Sequence, residues 1–275
     1  MELQRDAQPE IMPGLGFGTY GRQGEDGISA ILCALETGYR HLDTAQDYDT
    51  EAEVGEAIRR AGLPREALFV TTKVRPANFG PGDLVPSVAR SLETMGLDRA
   101  DLVLIHWPAP NGERPLSDYI PQLAEARAQG LTRHVGVSNF PVALLTEARA
   151  LLGDVPILTN QVELNPWFRN RTLADHCMGA GIRVTCYQPI AQGRLGGDPV
   201  IARIAARHGA TPEQVALAWE LAQGYAAIPT SSRPEHIRGN WQAQQLDLSP
   251  GELAEIDALN RGRRSIDPDW GPAWD

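Results

Sequence analysis

Three side chains that can hold or move a proton stand at the ends of short apolar runs. Asp43 ends RHLD, Lys73 ends LFVTTK and His106 ends DLVLIH, while Tyr48 follows Asp43 by five residues. Lys73 is the only lysine in the chain, and the rest of the 25 lysine and arginine residues are arginines. A carboxylate and an ammonium group are costly to bury unless they pair, so we expect Asp43 and Lys73 to form an ion pair. An ion pair that only holds two strands together is the structural alternative.

Tyr48 and His106 make this pair a candidate for proton transfer to a carbonyl group. A tyrosine hydroxyl has a pKa of about 10, and a neighbouring ammonium group lowers that pKa because it favours the phenolate. Tyr48 is therefore predicted to act as a general acid, and neutral His106 to donate a hydrogen bond to the same carbonyl oxygen. An arginine in place of Lys73 would be longer, planar and unable to lose its proton.

These residues need a fold that brings several strand ends together. Short apolar runs alternate with helical patterns along most of the chain, and eight runs can be counted: residues 16–19, 40–43, 68–73, 101–106, 134–138, 157–163, 182–188 and 225–229. Strand and helix alternation predicts a parallel sheet, and eight such units suit a closed (β/α)8 TIM barrel, whose active sites form at the carboxyl ends of the strands. No low-complexity linker divides the chain, so we expect residues 1–275 to form a single domain.

Composition excludes several classes of function. The net charge is −10 and the pI is about 5.1, and no basic stretch runs along the chain. These values argue against a general binder of nucleic acid or membrane surfaces. The opening MELQRDAQPEIM has no apolar core of a signal peptide, and no apolar run approaches the roughly 18 residues of a membrane span. We therefore expect a cytoplasmic protein.

Two longer segments carry a specific resemblance. GYRHLDTAQDYDTEAEVG, residues 38–55, and LTRHVGVSNF, residues 131–140, match the two signatures of the aldo-keto reductase family, and the similarity extends over the whole chain. The resemblance implies that Asp43, Tyr48, Lys73 and His106 are the catalytic tetrad and that a nicotinamide cofactor delivers the hydride. It further implies that the carboxamide is held by Ser138, Asn139 and Gln161, and that the ring stacks on Tyr187. Gly18, Thr19 and Asp43 are also expected beside the cofactor.

The segment IPTSSRPEHIRGN, residues 228–240, departs from the family pattern. Thr230 and His236 replace the lysine and arginine that bind the 2′-phosphate of NADPH in many relatives, whereas Ser231 and Asn240 are kept. Arg233 and Arg238 lie in the same loop and helix start, where free amides also bind phosphate. We therefore expect NADPH as the cofactor, with a preference carried mainly by Arg233, and NADH as a weaker alternative.

Aromatic residues indicate what enters the site. Tyr20, Phe79 and Trp107, together with His106, are expected to contact the substrate, with Trp167, Trp270 and Trp274 as further candidates for the lining. Trp219 and Trp241 fall in helical patterns and are expected to pack. The short loops favour small aldehydes, dicarbonyls such as methylglyoxal, and keto acids or esters such as 2,5-diketo-D-gluconate. We expect a monomer that acts on such small molecules.

Three other interpretations remain open at this level. GFGTYG, residues 16–21, matches G-x-G-x-x-G but leads into polar RQGEDG rather than a helix, which disfavours a dinucleotide-binding βαβ unit. A metal hydrolase on the same barrel would use Asp43, Glu163 and His106, although no paired-histidine motif is present, and we expect no metal. A nicotinamide-bound subunit that senses redox state or acts as a scaffold would keep the cofactor site with negligible turnover.

Overall fold

The eight strands form one parallel sheet in chain order. The computed structural model describes residues 12–275, and its strands are β1 (Phe17–Gly18), β2 (His41–Asp43), β3 (Phe69–Val74), β4 (Ala100–Ile105), β5 (Thr132–Ser138), β6 (Ile157–Glu163), β7 (Arg183–Tyr187) and β8 (Ala226–Ala227). A parallel bridge between Leu15 and Ala227 joins the first and last strands, and Gly18 N–H donates to the Pro229 carbonyl at 3.0 Å. The sheet is therefore closed, which confirms the predicted (β/α)8 barrel.

Ten α-helices lie among the described residues. They are α1 (Gly24–Thr37), α2 (Glu51–Ala61), α3 (Leu84–Met95), α4 (Ile120–Ala128), α5 (Val142–Leu152), α6 (Arg171–Gly179), α7 (Pro199–His208), α8 (Pro212–Ala222), α9 (Pro234–Gln242) and α10 (Pro250–Asp257). Their limits follow local chemistry: Thr211 and Ser249 form capping boxes that begin α8 and α10, and Gly62 ends α2 in the left-handed region. In the part of the chain that is described, no helix is both long and apolar enough to cross a membrane.

Two layers of apolar side chains hold the barrel together. The larger cluster lies between strands and helices and includes Val103, Ile105 and Val135. Leu102 and Leu104, at the alternate positions of β4, pack with Phe69 in a separate cluster. Since neighbouring residues of a strand face opposite sides, this second cluster fills the inside of the barrel. The carboxyl ends of the strands are left to the polar residues of the candidate site.

The segment after α10 runs back across the carboxyl face of the barrel. Glu163, at the end of β6, accepts hydrogen bonds from the backbone N–H groups of Ser265 at 2.9 Å and Ile266 at 2.8 Å. Further on, the Asp275 carboxylate accepts from the Val142 N–H at 3.1 Å, at the start of α5. The route of this segment did not follow from the sequence pattern.

Candidate active site

Lys73 is the centre of the site. Its side chain is fully buried at the end of β3, and its ammonium group donates to Asp43 Oδ1, to the Thr44 carbonyl at 2.9 Å and to Tyr48 Oη at 3.2 Å. Asp43 Oδ2 accepts from Gln161 Nε2 at 2.7 Å. Three donors of one ammonium group and both oxygens of one carboxylate are thus satisfied, so the charges are buried without an orphaned partner.

Burial and the neighbouring Lys73 shift the pKa of Tyr48 in opposite directions. Burial raises the pKa of Tyr48 above its ordinary value, and the neighbouring Lys73 only partly opposes that rise. The prediction of a lowered pKa is therefore wrong for the protein alone, because the sequence shows the neighbouring charge but not the loss of water. Tyr48 consequently holds its proton at neutral pH. Lys73 then acts on the negative charge that appears when the proton leaves.

His106 lies beside Tyr48 at the end of β4. The two ring centroids are 5.4 Å apart and nearly perpendicular, and Asn139 Nδ2 donates to the His106 carbonyl at 3.1 Å. Burial lowers the pKa of His106, although Asp47 opposes this with its Oδ2 atom 3.2 Å from Nδ1. The imidazole is therefore neutral at pH 7 and can donate one hydrogen bond to an oxygen atom.

Gln46 supports the turn that carries Tyr48, and sequence reasoning missed it. Its Nε2 atom donates to the hydroxyl groups of Ser87 at 3.2 Å and Ser91 at 3.1 Å, and its Oε1 atom accepts from the Arg75 N–H at 3.1 Å. These bonds tie the turn to α3 and to the loop after β3. Gln46 lies in the middle of the first signature segment, residues 38–55, and this position was the only feature of the sequence that could have indicated its role.

A second polar group connects β5, β6 and β7. Ser138 Oγ donates to the Gln161 carbonyl at 2.8 Å, and Asn139 adopts a left-handed backbone with a φ of 63°. Tyr187 Oη donates to Asn139 Oδ1 at 2.7 Å, which holds a half-buried ring at the end of β7. The structure thus brings together all four residues expected to hold the nicotinamide, and Gln161 links them to Asp43.

The remaining residues expected at the cofactor lie around the ends of β1 and β8. A Cβ atom on Gly18 would lie 2.9 Å from the Ile228 carbonyl oxygen, so only glycine fits there. Thr19 Oγ1 donates to the Asp43 carbonyl at 3.1 Å. Thr230 Oγ1 is buried and has no hydrogen-bond partner among residues 12–275. An unpartnered hydroxyl near the start of a helix fits a dinucleotide, whose ribose and phosphate oxygens need such donors.

The start of α9 holds an unexpected ion pair. Arg233 donates to Glu235 Oε1 at 2.6 Å, and both side chains are well exposed. Arg233 N–H donates to Ser231 Oγ at 3.1 Å. His236 is exposed and Asn240 is buried. A bound 2′-phosphate would therefore compete with Glu235 for the Arg233 guanidinium.

We call the opening of the site at the carboxyl face of the barrel the mouth. Only some of the aromatic residues that were expected to contact substrate lie there. Tyr20 is 68% exposed with its ring 5.3 Å from that of Tyr48, and Trp107 packs edge-on against Trp270 at 5.1 Å. Phe79 is fully buried and stacks on Tyr119, with centroids 4.2 Å apart. The expectation that Phe79 contacts substrate is therefore corrected, because its ring is buried in the core.

The other tryptophans divide in the same way. Trp274 lies 6.1 Å from Trp107 and belongs to the mouth. Trp167 instead donates from its indole N–H to Asp198 Oδ2 at 3.1 Å and packs under Arg261. Trp219 and Trp241 pack against the body of the barrel, as expected.

Residues 12–275 contain no set of ligands for a metal ion. No group of three or more histidine, cysteine, aspartate or glutamate side chains in that range could hold a metal ion. Glu163 is engaged by backbone N–H groups of the segment after α10. The dinucleotide-binding βαβ interpretation of residues 16–21 is excluded by the closed barrel, in which β1 has two residues and α1 begins at Gly24.

The chain is similar to known reductases over almost its full length. The model of the aldo/keto reductase family matches residues 14–261. The methylglyoxal reductase DkgB of Escherichia coli O157:H7 is 43% identical over 265 residues, which cover 96% of this chain and 99% of that protein. The 2,5-diketo-D-gluconic acid reductase B of Corynebacterium sp. (strain SHS752001) is 37% identical over 259 residues, which cover 94% of this chain and 93% of that protein. A solved aldo-keto reductase from a Medee basin deep-sea metagenome library has a TM-score of 0.89 at 32% identity and covers 96% of each chain. The chain therefore belongs to the aldo/keto reductase family and is an oxidoreductase that acts on carbonyl groups.

Proposed function

We propose that this chain is an NADPH-dependent reductase of small aldehydes, dicarbonyls and keto acids or esters, with Tyr48 as the proton donor. The observation that carries the proposal is the 3.2 Å contact between Lys73 and Tyr48, made by an ammonium group that is also paired with buried Asp43. In this arrangement a fixed positive charge lies beside the Tyr48 oxygen, which becomes negative when the proton leaves. Stabilising a charge that develops in the transition state is the largest contribution that an active site of this kind makes.

The proton moves from Tyr48 Oη to the carbonyl oxygen of the substrate. Its raised pKa keeps Tyr48 protonated at neutral pH, and Lys73 stabilises the phenolate that forms. Neutral His106 donates a hydrogen bond to the same carbonyl oxygen and orients the substrate. When bound, the nicotinamide supplies the hydride that completes the reduction.

The cofactor would be held by residues from two regions of the barrel. Ser138, Asn139, Gln161 and Tyr187 suit the nicotinamide end, and hydrogen bonds among them and from Gln161 to Asp43 already hold their polar groups in place. Thr230, Ser231 and the first turn of α9 suit the phosphates. Arg233 and Arg238 are exposed in that region and favour the 2′-phosphate of NADPH over the hydroxyl of NADH.

The substrate class rests on two supports. The relatives named above reduce methylglyoxal or 2,5-diketo-D-gluconic acid according to their names. Tyr20 packs against Tyr48, and Trp107, which directly follows His106 in the chain, packs against Trp270; such partly apolar surroundings suit a short dicarbonyl.

A substrate panel tests the proposal. The purified chain would be assayed with NADPH and, separately, NADH against methylglyoxal, 2,5-diketo-D-gluconate and a β-keto ester. We expect turnover of at least one dicarbonyl with NADPH, and a higher kcat/KM with NADPH than with NADH. Tight NADPH binding without turnover of any of them would instead favour the redox-sensing or scaffold subunit.

A further inference from the structure

One acidic side chain lies at the mouth, next to the groups proposed to act on the substrate carbonyl. Asp47 stands between Gln46 and Tyr48 in a short turn, residues 46–48, and its side chain is 39% exposed. Its Oδ2 atom lies 3.2 Å from Nδ1 of His106, whose side chain is only 11% exposed. Because Gln46 ties this turn to α3 and to the loop after β3, the Asp47 carboxylate is held at the edge of the site.

The charge of Asp47 reaches both side chains that are proposed to contact the carbonyl oxygen. Within residues 12–275, His106 Nδ1 is buried and has no aligned hydrogen-bond partner, so the contact with Asp47 is one of charge rather than a directed hydrogen bond. Burial has the largest effect on both pKa values, lowering that of His106 and raising that of Tyr48. The Asp47 carboxylate raises the pKa of both groups, which shows that its charge acts on each of them.

Part of this negative charge is left uncompensated. The charged side chains that act on His106 are Lys73, Asp47 and Asp43, and of these Lys73 and Asp43 neutralise each other as a buried pair. Arg75 Nη1 lies 3.9 Å from Asp47 Oδ1, and its side chain is 47% exposed. An exposed pair at this distance is weak, because water screens it. A substrate that reaches His106 therefore meets a net negative charge from Asp47.

We propose that Asp47 determines substrate specificity by charge, favouring neutral carbonyl compounds such as dicarbonyls and keto esters over anionic keto acids. The inference rests on the proposed function, because it takes the substrate carbonyl to bind beside Tyr48 and His106. A carboxylate on a small substrate then lies within several ångströms of Asp47. Two like charges about 7 Å apart weaken binding about threefold in water, and more where the site excludes part of the water, so the discrimination is about tenfold.

Two rigid aldehydes that differ in charge test the proposal. The probes are 4-carboxybenzaldehyde, an anion at neutral pH, and its neutral methyl ester, and the readout is the ratio of kcat/KM with NADPH for the ester over the acid. The variants are Asp47→Asn and Arg75→Gln. Asp49→Asn is the matched control, because it removes the same charge from an exposed position two residues away, where a left-handed backbone with a φ of 52° suits asparagine.

We expect the two variants to move this ratio in opposite directions. Asp47→Asn should lower it about tenfold, and Arg75→Gln should raise it, because the positive charge that partly offsets Asp47 is removed. Asp49→Asn should leave the ratio within about twofold of the wild type. High salt should lower the wild-type ratio, since Asp47 is partly exposed, and should change the ratio of Asp47→Asn much less.

Binding measured without turnover separates this inference from the proposed function. Calorimetric titration of both probes into the NADPH complex of Tyr48→Phe, with and without Asp47→Asn, gives their Kd values. We expect Asp47→Asn to tighten binding of the acid about tenfold and to leave that of the ester unchanged. If the wild type fails to reduce the ester while this shift is present, the proposed function is wrong and the role of Asp47 stands.

Three results would overturn the role of Asp47. The first is an unchanged ratio of kcat/KM, or an unchanged Kd for the acid, when Asp47 becomes asparagine. The second is an equal shift in Asp49→Asn, which would show a response to the net charge of the protein. The third is the absence of binding of both probes, since no carbonyl compound would then lie beside Asp47.

Discussion

Replacing Lys73 with methionine should separate the two roles of the buried ion pair, stability and catalysis. Lys73 is fully buried and Asp43 is 1% exposed, so the Lys73→Met variant leaves a carboxylate in the core without its positive partner. Truncating one member of a buried pair costs about 3–5 kcal/mol of unfolding free energy. The low end applies here, because Gln161 still donates to Asp43 Oδ2 at 2.7 Å. A loss of about 3 kcal/mol corresponds to a fall in Tm of about 6–12 °C.

The catalytic effect of the same change is independent of that loss. Without the ammonium group, the phenolate of Tyr48 forms with no neighbouring positive charge, and kcat should fall by about 10²–10⁴. Lys73→Arg keeps the charge, but the longer planar guanidinium cannot take the same place between Asp43 and Tyr48, and we expect a similar loss of activity.

A double variant provides the control. Asp43→Asn combined with Lys73→Met removes the orphaned carboxylate, so thermal denaturation should show most of the lost Tm restored, whereas carbonyl reduction should stay as low as in Lys73→Met. A Tm of Lys73→Met within about 2 °C of the wild type would refute the buried pair. Near-wild-type kcat in Lys73→Arg would show that the lone lysine has no special chemistry.

Four further substitutions address the cofactor, the core and the segment after α10. Arg233→Ala should lower the ratio of kcat/KM for NADPH over NADH by about tenfold. Glu235→Gln should raise the same ratio, because the carboxylate that competes for Arg233 is removed. An unchanged ratio in both variants would assign the cofactor preference to other groups. Burial holds the pKa of Glu220 well above 4.5, and its oxygens have no partner among the described residues. The destabilisation that Glu220 causes is therefore absent below pH 4.5 and grows as the pH rises towards the folded pKa. Glu220→Gln should therefore raise Tm at pH 8 and have little effect at pH 4, and a pH-independent difference in calorimetry would contradict this sign. Asp275→Ala removes the acceptor of the Val142 N–H and should cost about 0.5–2 kcal/mol in thermal denaturation, with no change if another group caps α5.

The strand ends of the site could be predicted because their pattern is local. Each apolar run that ends in Asp43, Lys73 or His106 became a strand or strand end, with limits within one or two residues of those expected. Parallel strands place their carboxyl ends at one face, so three distant residues were bound to meet once the barrel was recognised.

The rest depended on contacts between distant parts of the chain. Phe79 was expected at the mouth, but burial against Tyr119 depends on how two loops pack. The direction of the Tyr48 pKa was wrong because loss of water outweighs a neighbouring charge whose presence alone is visible in the sequence. The attachment of the last segment to Glu163 has no periodic pattern that could have revealed it.

Tyr48→Phe tests the central claim most directly, since it removes one oxygen atom and leaves the ring between Tyr20 and His106. The measurement is kcat for methylglyoxal reduction alongside the Kd for NADPH in the same preparation. If Tyr48 donates the proton, kcat falls by at least about 10² and the Kd for NADPH stays within about twofold of the wild type. Retention of more than about a tenth of the wild-type kcat would contradict the account, because general acid catalysis by Tyr48 could not then supply the rate.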